Sequence, residues 1–321
     1  MKSILRLVVF AAALSSWAYA QPQSDVHVLR VQGNVYMLVG AGGNIAVQVG
    51  SDGILMVDTG SAQMTDQALA SVKQLAKPIT NRPLRYIVNT HFHPDHTGGN
   101  EKARAMGRTI TGGNVAGNIS DATEGAAIYA HANVLKAMSA PTGTQAPTPT
   151  GAWPTDTYFK DTNELFFNGE ALQMFHPKSA HTDGDSIVFF RRSDVVMTGD
   201  IFSTTTSPII DLQNGGSLNG IVDALNLILD ITIPAEKQEG GTMVIPGHGR
   251  LCDEADVVEY RDMVTIIRDR IQDMIKKGMT LEQVRAAKPT RDYDPLYGAS
   301  TGIWTTDMFV EAAYKSLSAK K

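Results

Sequence analysis

Thr90-His91-Phe92-His93-Pro94-Asp95-His96-Thr97-Gly98-Gly99 places four potential metal ligands within six residues, directly after Leu84 to Val88, an apolar run that reads as a buried strand. A loop leaving a strand end can aim its side chains while the sheet holds its base still. Residues two apart in extended chain share a face, so His91 and His93 can grip one ion together. Pro94 then bends the chain, and Asp95 and His96 can reach a second ion nearby. Three more candidates stand beside later apolar runs: His181 in Ala180-His181-Thr182, Asp200 in Thr198-Gly199-Asp200, and His248 in Pro246-Gly247-His248-Gly249.

Imidazole and carboxylate without thiolate suit zinc and tolerate iron or manganese. Seven ligands are too many for one tetrahedral ion and suit two ions sharing a bridging carboxylate. A closed structural zinc takes four ligands, usually including cysteine, and this chain has one cysteine, Cys252. Cys252 reads as a partly buried free thiol, since no intramolecular disulfide is possible. His27, His131 and His176 fall outside the motifs and read as non-ligands; His176, five residues before His181, is the one placed for a supporting role.

Working outward, Val35 to Val39, Asn44 to Val49 and Gly53 to Asp58 read as strands separated by glycine turns. Leu69, Val72 and Leu75 mark a helix over about 64–75. From Gly112 to about Asp161 the pattern weakens, which predicts some helix and a long loop, a candidate cover over the site or a plain surface insertion. Strands resume with a hairpin around Asn168-Gly169, then Ser186 to Phe190, Asp194 to Thr198 and Met243 to Ile245. Helices are expected at 218–230, 254–277, after the capping box Thr280-Leu281-Glu282-Gln283, and at 305–317. No linker divides the pattern, so we expect one α/β domain of two packed sheets with helices outside, spanning 21–321, with an insertion at about 113–160 and a helical extension at about 254–321.

The His91–His96 segment resembles the signature of the metallo-β-lactamase-fold superfamily, and Asp58, His181, Asp200 and His248 follow in that superfamily's order. The resemblance implies a four-layer αββα sandwich with two metals, zinc foremost, at one edge between the sheets. It implies His91, His93 and His181 on the first metal, Asp95, His96 and His248 on the second, Asp200 bridging, and Asp58 supporting the ligand loop. Phe175-His176-Pro177 and His181-Thr182-Asp183 are similar to secreted β-lactamases, but those carry cysteine or serine where this chain has Asp200, and the best-known group has lysine where it has Ser203. Asp200 instead resembles the pattern of glyoxalase II and lactonases. The implied activity is hydrolysis of an ester, thioester, lactone or amide by a hydroxide shared between the metals, with Asp95 orienting it and shuttling its proton. A β-lactamase, a persulfide-dioxygenase-like enzyme with one iron, and a non-catalytic metal-binding protein of the cell envelope stand as alternatives.

Lys2 and Arg6, the apolar run Leu7 to Leu14, and Ala18-Tyr19-Ala20 predict a signal peptide cleaved before Gln21 and a periplasmic or secreted product. Of 321 residues, removal of 20 leaves 301; the net charge of −5 loses Lys2 and Arg6 and becomes −7. That acidic balance argues against nucleic acid as partner and leaves a small-molecule substrate. No stretch predicts stable membrane insertion, and the oligomeric state is not legible in the sequence.

Overall fold

The protein is described by a computed structural model over residues 25–108, 125–140 and 148–319. The expected signal peptide lies outside the described residues, as do parts of the weakly patterned stretch.

Four strands open the chain, β1 (His27–Gln32), β2 (Val35–Val39), β3 (Ile45–Gly50) and β4 (Gly53–Val57), paired antiparallel in sequence order. Helix α1 (Thr65–Ala76) crosses over to β5 (Leu84–Val88), which lies parallel to β4. The short helices α2 (Pro94–Thr97) and α3 (Asn100–Met106) follow, then β6 (Ala127–His131), α4 (Ala132–Ser139) and β7 (Asp156–Tyr158), which extend the sheet in parallel to seven strands. The second sheet has five strands in the order β12-β11-β10-β9-β8: β8 (Thr162–Phe167), β9 (Glu170–Phe175), β10 (Ile187–Phe190), β11 (Val195–Met197) and β12 (Met243–Ile245). Helix α5 (Leu218–Ile231) connects β11 to β12, and that pair is parallel. The chain closes with α6 (Glu254–Lys276), α7 (Leu281–Ala287), α8 (Asp294–Tyr297) and α9 (Thr306–Ser318).

Side chains alternating along the strands sort into layers. In β4, Ile54 and Met56 face α1 and α3, packing with Leu69, Val72 and Ala103, while Leu55 and Val57 face the other sheet. There they meet Leu172, Met174, Val188, Phe190 and Met197. The far side of the second sheet, through Ile187, Val196 and Val244, packs on α5, α6 and α9. β3 and β4 are buried on both faces, which is why they read as continuous apolar runs. Full burial of each such Val, Leu or Ile stabilises the fold by about 1.5–3 kcal/mol. The result is the expected α/β/β/α sandwich.

Two elements differ from the sequence reading. The stretch expected as some helix and a long loop contributes α4 and also two strands, β6 and β7, to the first sheet. Its strands are short, five and three residues, and their pairing comes from the neighbours that enclose them: Ile128 packs among the α1–α3 layer and Ala130 against Val134 and Met138. β1 was also not expected; it is an edge strand, largely exposed, with no apolar alternation to announce it. The final helices pack on the second sheet, with Phe309 and Val310 in its core. The predicted capping box holds, with Thr280 and Gln283 bonded reciprocally, and Thr305 caps α9. Cys252 is buried and free, bridging to Val244 through the backbone. No helix among the described residues is long and apolar enough to cross a membrane.

Candidate metal centre

The parallel strands β4, β5, β11 and β12 end at the same edge of the sandwich, and the loops leaving them carry Asp58, His91, Asp200 and His248. In open α/β sheets, sites form beyond the carboxyl ends of parallel strands. His93 caps the N-terminus of α2 in extended conformation and Pro94 starts the helix, so the chain turns sharply and carries Asp95 and His96 in that single turn. His181 comes from the loop between β9 and β10. The structure brings all seven expected side chains together, in two groups: His91, His93, His181 and Asp200, and Asp95, His96 and His248, the donor atoms of each within 4.8 Å of one another.

The hydrogen-bond network assigns the tautomers. His181 Nδ1 faces the Ile209 carbonyl at 2.8 Å, and a carbonyl only accepts, so Nδ1 carries the proton and Nε2 presents a lone pair. His93 Nε2 faces the Asp211 carboxylate at 3.1 Å, so its lone pair is on Nδ1. These two lone-pair nitrogens stand 3.0 Å apart, an arrangement that calls for a cation between them. Thr90 Oγ1 donates to Asp58 at 2.7 Å and accepts from His91 Nδ1 at 3.1 Å, which leaves the buried His91 Nε2 without a partner. The three rings stand nearly perpendicular, with centroids 4.7–4.8 Å apart.

In the second group His96 Nδ1 donates to Asp58 at 2.8 Å, so Nε2 points inward. It lies 3.1 Å from Asp200 Oδ1, 3.7 Å from Asp95 Oδ2 and 3.3 Å from His248 Nε2. Asp200 separates the groups: Oδ1 is 3.1 and 3.4 Å from His96 and His248, while Oδ2 is 3.9 and 3.8 Å from His91 and His181. Each carboxylate oxygen thus serves one set of imidazoles. Side chains of His91, His96 and His181 are at most 1% exposed, against 24% for His93, 40% for Asp95 and 30% for His248, so the centre opens on the side of those three.

Charge in the metal-free site follows this arrangement. Burial, then the neighbouring His96, holds His91 well below the ordinary histidine range. Burial opposes charge on His96 too, but the Asp200 and Asp58 carboxylates outweigh it and push His96 well up. His248 is likewise raised to about 9 against burial by Asp200 and Asp95. Asp200 is held well below the usual carboxylate range despite burial, by His96 and His248. The carboxylates that draw protons onto His96 and His248 set up the same field that draws cations. With an unpartnered buried nitrogen, inward lone pairs and an all-nitrogen-and-oxygen donor set, the residues fit two divalent cations.

The outer ring of contacts contains residues the sequence reading did not single out. Asp211 holds His93 and is itself pulled down to about 2, burial notwithstanding, by hydrogen bonds from His93 and Asn214. Buried Asn44 joins the sheets: its Nδ2 donates to the carbonyls of Pro246 (2.8 Å) and Gly249 (3.1 Å), and its N–H donates to Gly247 (2.8 Å), while the adjacent Gly43 N–H donates to Asp95 (3.0 Å). The only local signal was the glycine cluster at 40–43. Asp185 accepts from the Thr182 N–H and hydroxyl and so shapes the His181 loop. His176 and His131 stack in parallel with centroids 3.6 Å apart, and His176 Nδ1 donates to the Asp185 carbonyl. Neither belongs to the clusters, nor does His27, which lies on the exposed edge strand. Trp153 packs against Ala130, Val134 and Met138, and Phe159 is exposed.

Sandwich and site together gather a cluster of metal-binding His and Asp side chains at an open edge between two sheets. The chain belongs to the metallo-beta-lactamase superfamily, whose family profile matches residues 30–248. The linear primary-alkylsulfatase of Pseudomonas sp. (strain ATCC 19151) is 23% identical over 268 residues, 73% of this chain and 49% of that protein. Among solved structures, the stereoselective inverting sec-alkylsulfatase Pisa1 from Pseudomonas sp. superposes with a TM-score of 0.63 at 16% identity, over 90% of this chain and 50% of its own. A metallo-beta-lactamase from Pontibacter korlensis superposes with a TM-score of 0.53 at 16% identity, over 75% of this chain and 99% of its own. The chain therefore spans about half the length of the two alkylsulfatases. At these identities the structural likeness speaks for the fold.

Proposed function

We propose that this chain is an exported dinuclear metallohydrolase, with zinc in both positions, that cleaves an ester, thioester, lactone or amide bond of a small molecule. The observation carrying this reading is Asp200, whose two oxygens face separate sets of inward-pointing imidazoles. A one-iron oxygenase does not need the second set. The cations, when bound, supply Lewis-acid activation of water and of the scissile bond. The remaining work falls to the chain. Asp58, Thr90, Asp211 and the Ile209 carbonyl hold the imidazoles in one tautomer. Asp95, at the mouth and 3.1 Å from His248, is kept as a carboxylate: burial would raise it, but its hydrogen bond from His248 lowers it further, so it can accept a proton there and pass it outward.

A second reading, sulfate-ester hydrolysis, is favoured by the similarity to the linear primary-alkylsulfatase. Metal analysis of purified protein, followed by a panel of carboxyl ester, thioester, lactone, β-lactam and alkyl sulfate, tests both. Two zinc ions per chain with chelator-sensitive, zinc-restored hydrolysis is the expected result. Hydrolysis that persists after verified metal removal refutes the proposal, and one iron per chain redirects it to oxygenation. N-terminal sequencing of the exported product tests cleavage before Gln21.

A further inference from the structure

A cleft of about 450 Å³ opens beside the metal centre, and its lining is the unexplained feature of this face. His93 and Asp211 border it, Ile209 and Leu212 continue one part of its wall, and Trp304, just before α9, and Met308, in the first turn of α9, stand in another. Its volume is that of a small-molecule pocket. The charged groups around it are already engaged with one another: Lys315 with Glu311 at 2.6 Å, Arg285 with the same Glu311, and His93 with Asp211 at 3.1 Å. Leu212 and Met308 are exposed apolar side chains facing that space, 37% and 42% accessible.

The cleft is continuous with the metal centre through shared residues. The segment 209–211 that forms its wall also holds two imidazoles of the first cluster, through the Ile209 carbonyl on His181 and the Asp211 carboxylate on His93. The Asp211 N–H also donates to the His181 carbonyl at 3.0 Å. We propose that this cleft seats an uncharged apolar limb of the substrate, an acyl or alkyl chain several carbons long, running past the exposed edge of His93. The proposal rests on the hydrolase reading above and narrows it to substrates with such a limb.

The test compares p-nitrophenyl acetate with p-nitrophenyl octanoate on the zinc-loaded full chain. Each methylene seated in the cleft raises kcat/KM by roughly three- to four-fold until the space is filled, so the octanoate-to-acetate ratio should exceed about 30. Met308→Trp and Leu212→Trp fill the cleft from different segments, at positions already exposed to solvent. Each is expected to lower that ratio at least tenfold with the melting temperature kept. An unchanged ratio in folded variants overturns the proposal. If neither ester is hydrolysed in a chelator-sensitive way, the hydrolase reading is left to the substrate panel above, and the cleft is judged separately by titration with the neutral fluorescent probe N-phenyl-1-naphthylamine. Saturable binding weakened at least tenfold by either variant then supports an apolar site, and absent or unaltered binding overturns it.

Discussion

Asp58→Asn isolates the part of this centre that touches no substrate. Asp58 is fully buried, and its φ of 63° is one that Asn tolerates as well as Asp, so the substitution changes charge and hydrogen bonding without new backbone strain. Its Oδ1 accepts from the Thr90 N–H at 2.8 Å; its Oδ2 accepts from Thr90 Oγ1 at 2.7 Å and from His96 Nδ1 at 2.8 Å. An amide placed with its NH2 at the Oδ2 position faces two donors. Each lost contact to a carboxylate is worth about 1.5–3 kcal/mol. His96 recovers part of this by moving its proton to Nε2, but that removes the lone pair aimed at Asp200 and Asp95. Loss of such an outer partner lowers metal affinity ten- to hundred-fold, about 1.4–2.8 kcal/mol. The expected outcome is weaker metal binding, greatest at the cluster of Asp95, His96 and His248, read by competition with a chelator of known affinity and by metal analysis after dialysis. Wild-type affinity for both ions in Asp58→Asn would show that the tautomer of His96 is not set by Asp58, and the reasoning above would fall.

Other consequences are as direct. A Cβ at residue 43 would lie 2.4 Å from His96 Cε1 and 2.6 Å from its Nε2, so Gly43→Ala should displace that ring and lose one metal by elemental analysis while the far-ultraviolet spectrum stays unchanged. His131 is pushed down to about 4, first by burial and then by the stacked His176, whereas in the unfolded chain a histidine titrates near its ordinary 6.5. The unfolded state therefore binds the extra proton between those values, so this group's effect makes stability fall as pH drops from about 6.5 towards 4. Denaturant titrations should show that slope reduced in His131→Phe, and an equal slope in both proteins would refute the assignment. Burial, reinforced by Asp256, raises the Cys252 thiol to about 12, so the native protein should resist iodoacetamide at pH 8 and react once unfolded.

Much of this protein was decided locally and was legible for that reason. The ligand loop declared itself because His91, His93, Asp95 and His96 are close in sequence and chemically of one kind, and β3, β4, β5, α5 and α6 because their burial is written as apolar runs or helical spacing. Contacts between distant segments were not legible. Asn44 reaches across 202 positions to Pro246, and Asp211 across 118 to His93; the glycines before Asn44 mark a turn but not its partner, and nothing beside Asp211 marks it. β6 and β7 add to β5 as two more parallel strands, and segments of five and three residues are too short to announce themselves by an apolar pattern. The division of Asp200 between two sets of histidines, and the cleft beside them, exist only once both sheets and α9 have packed. The donor types are a property of the residues, whereas their tautomers and spacing are properties of what surrounds them.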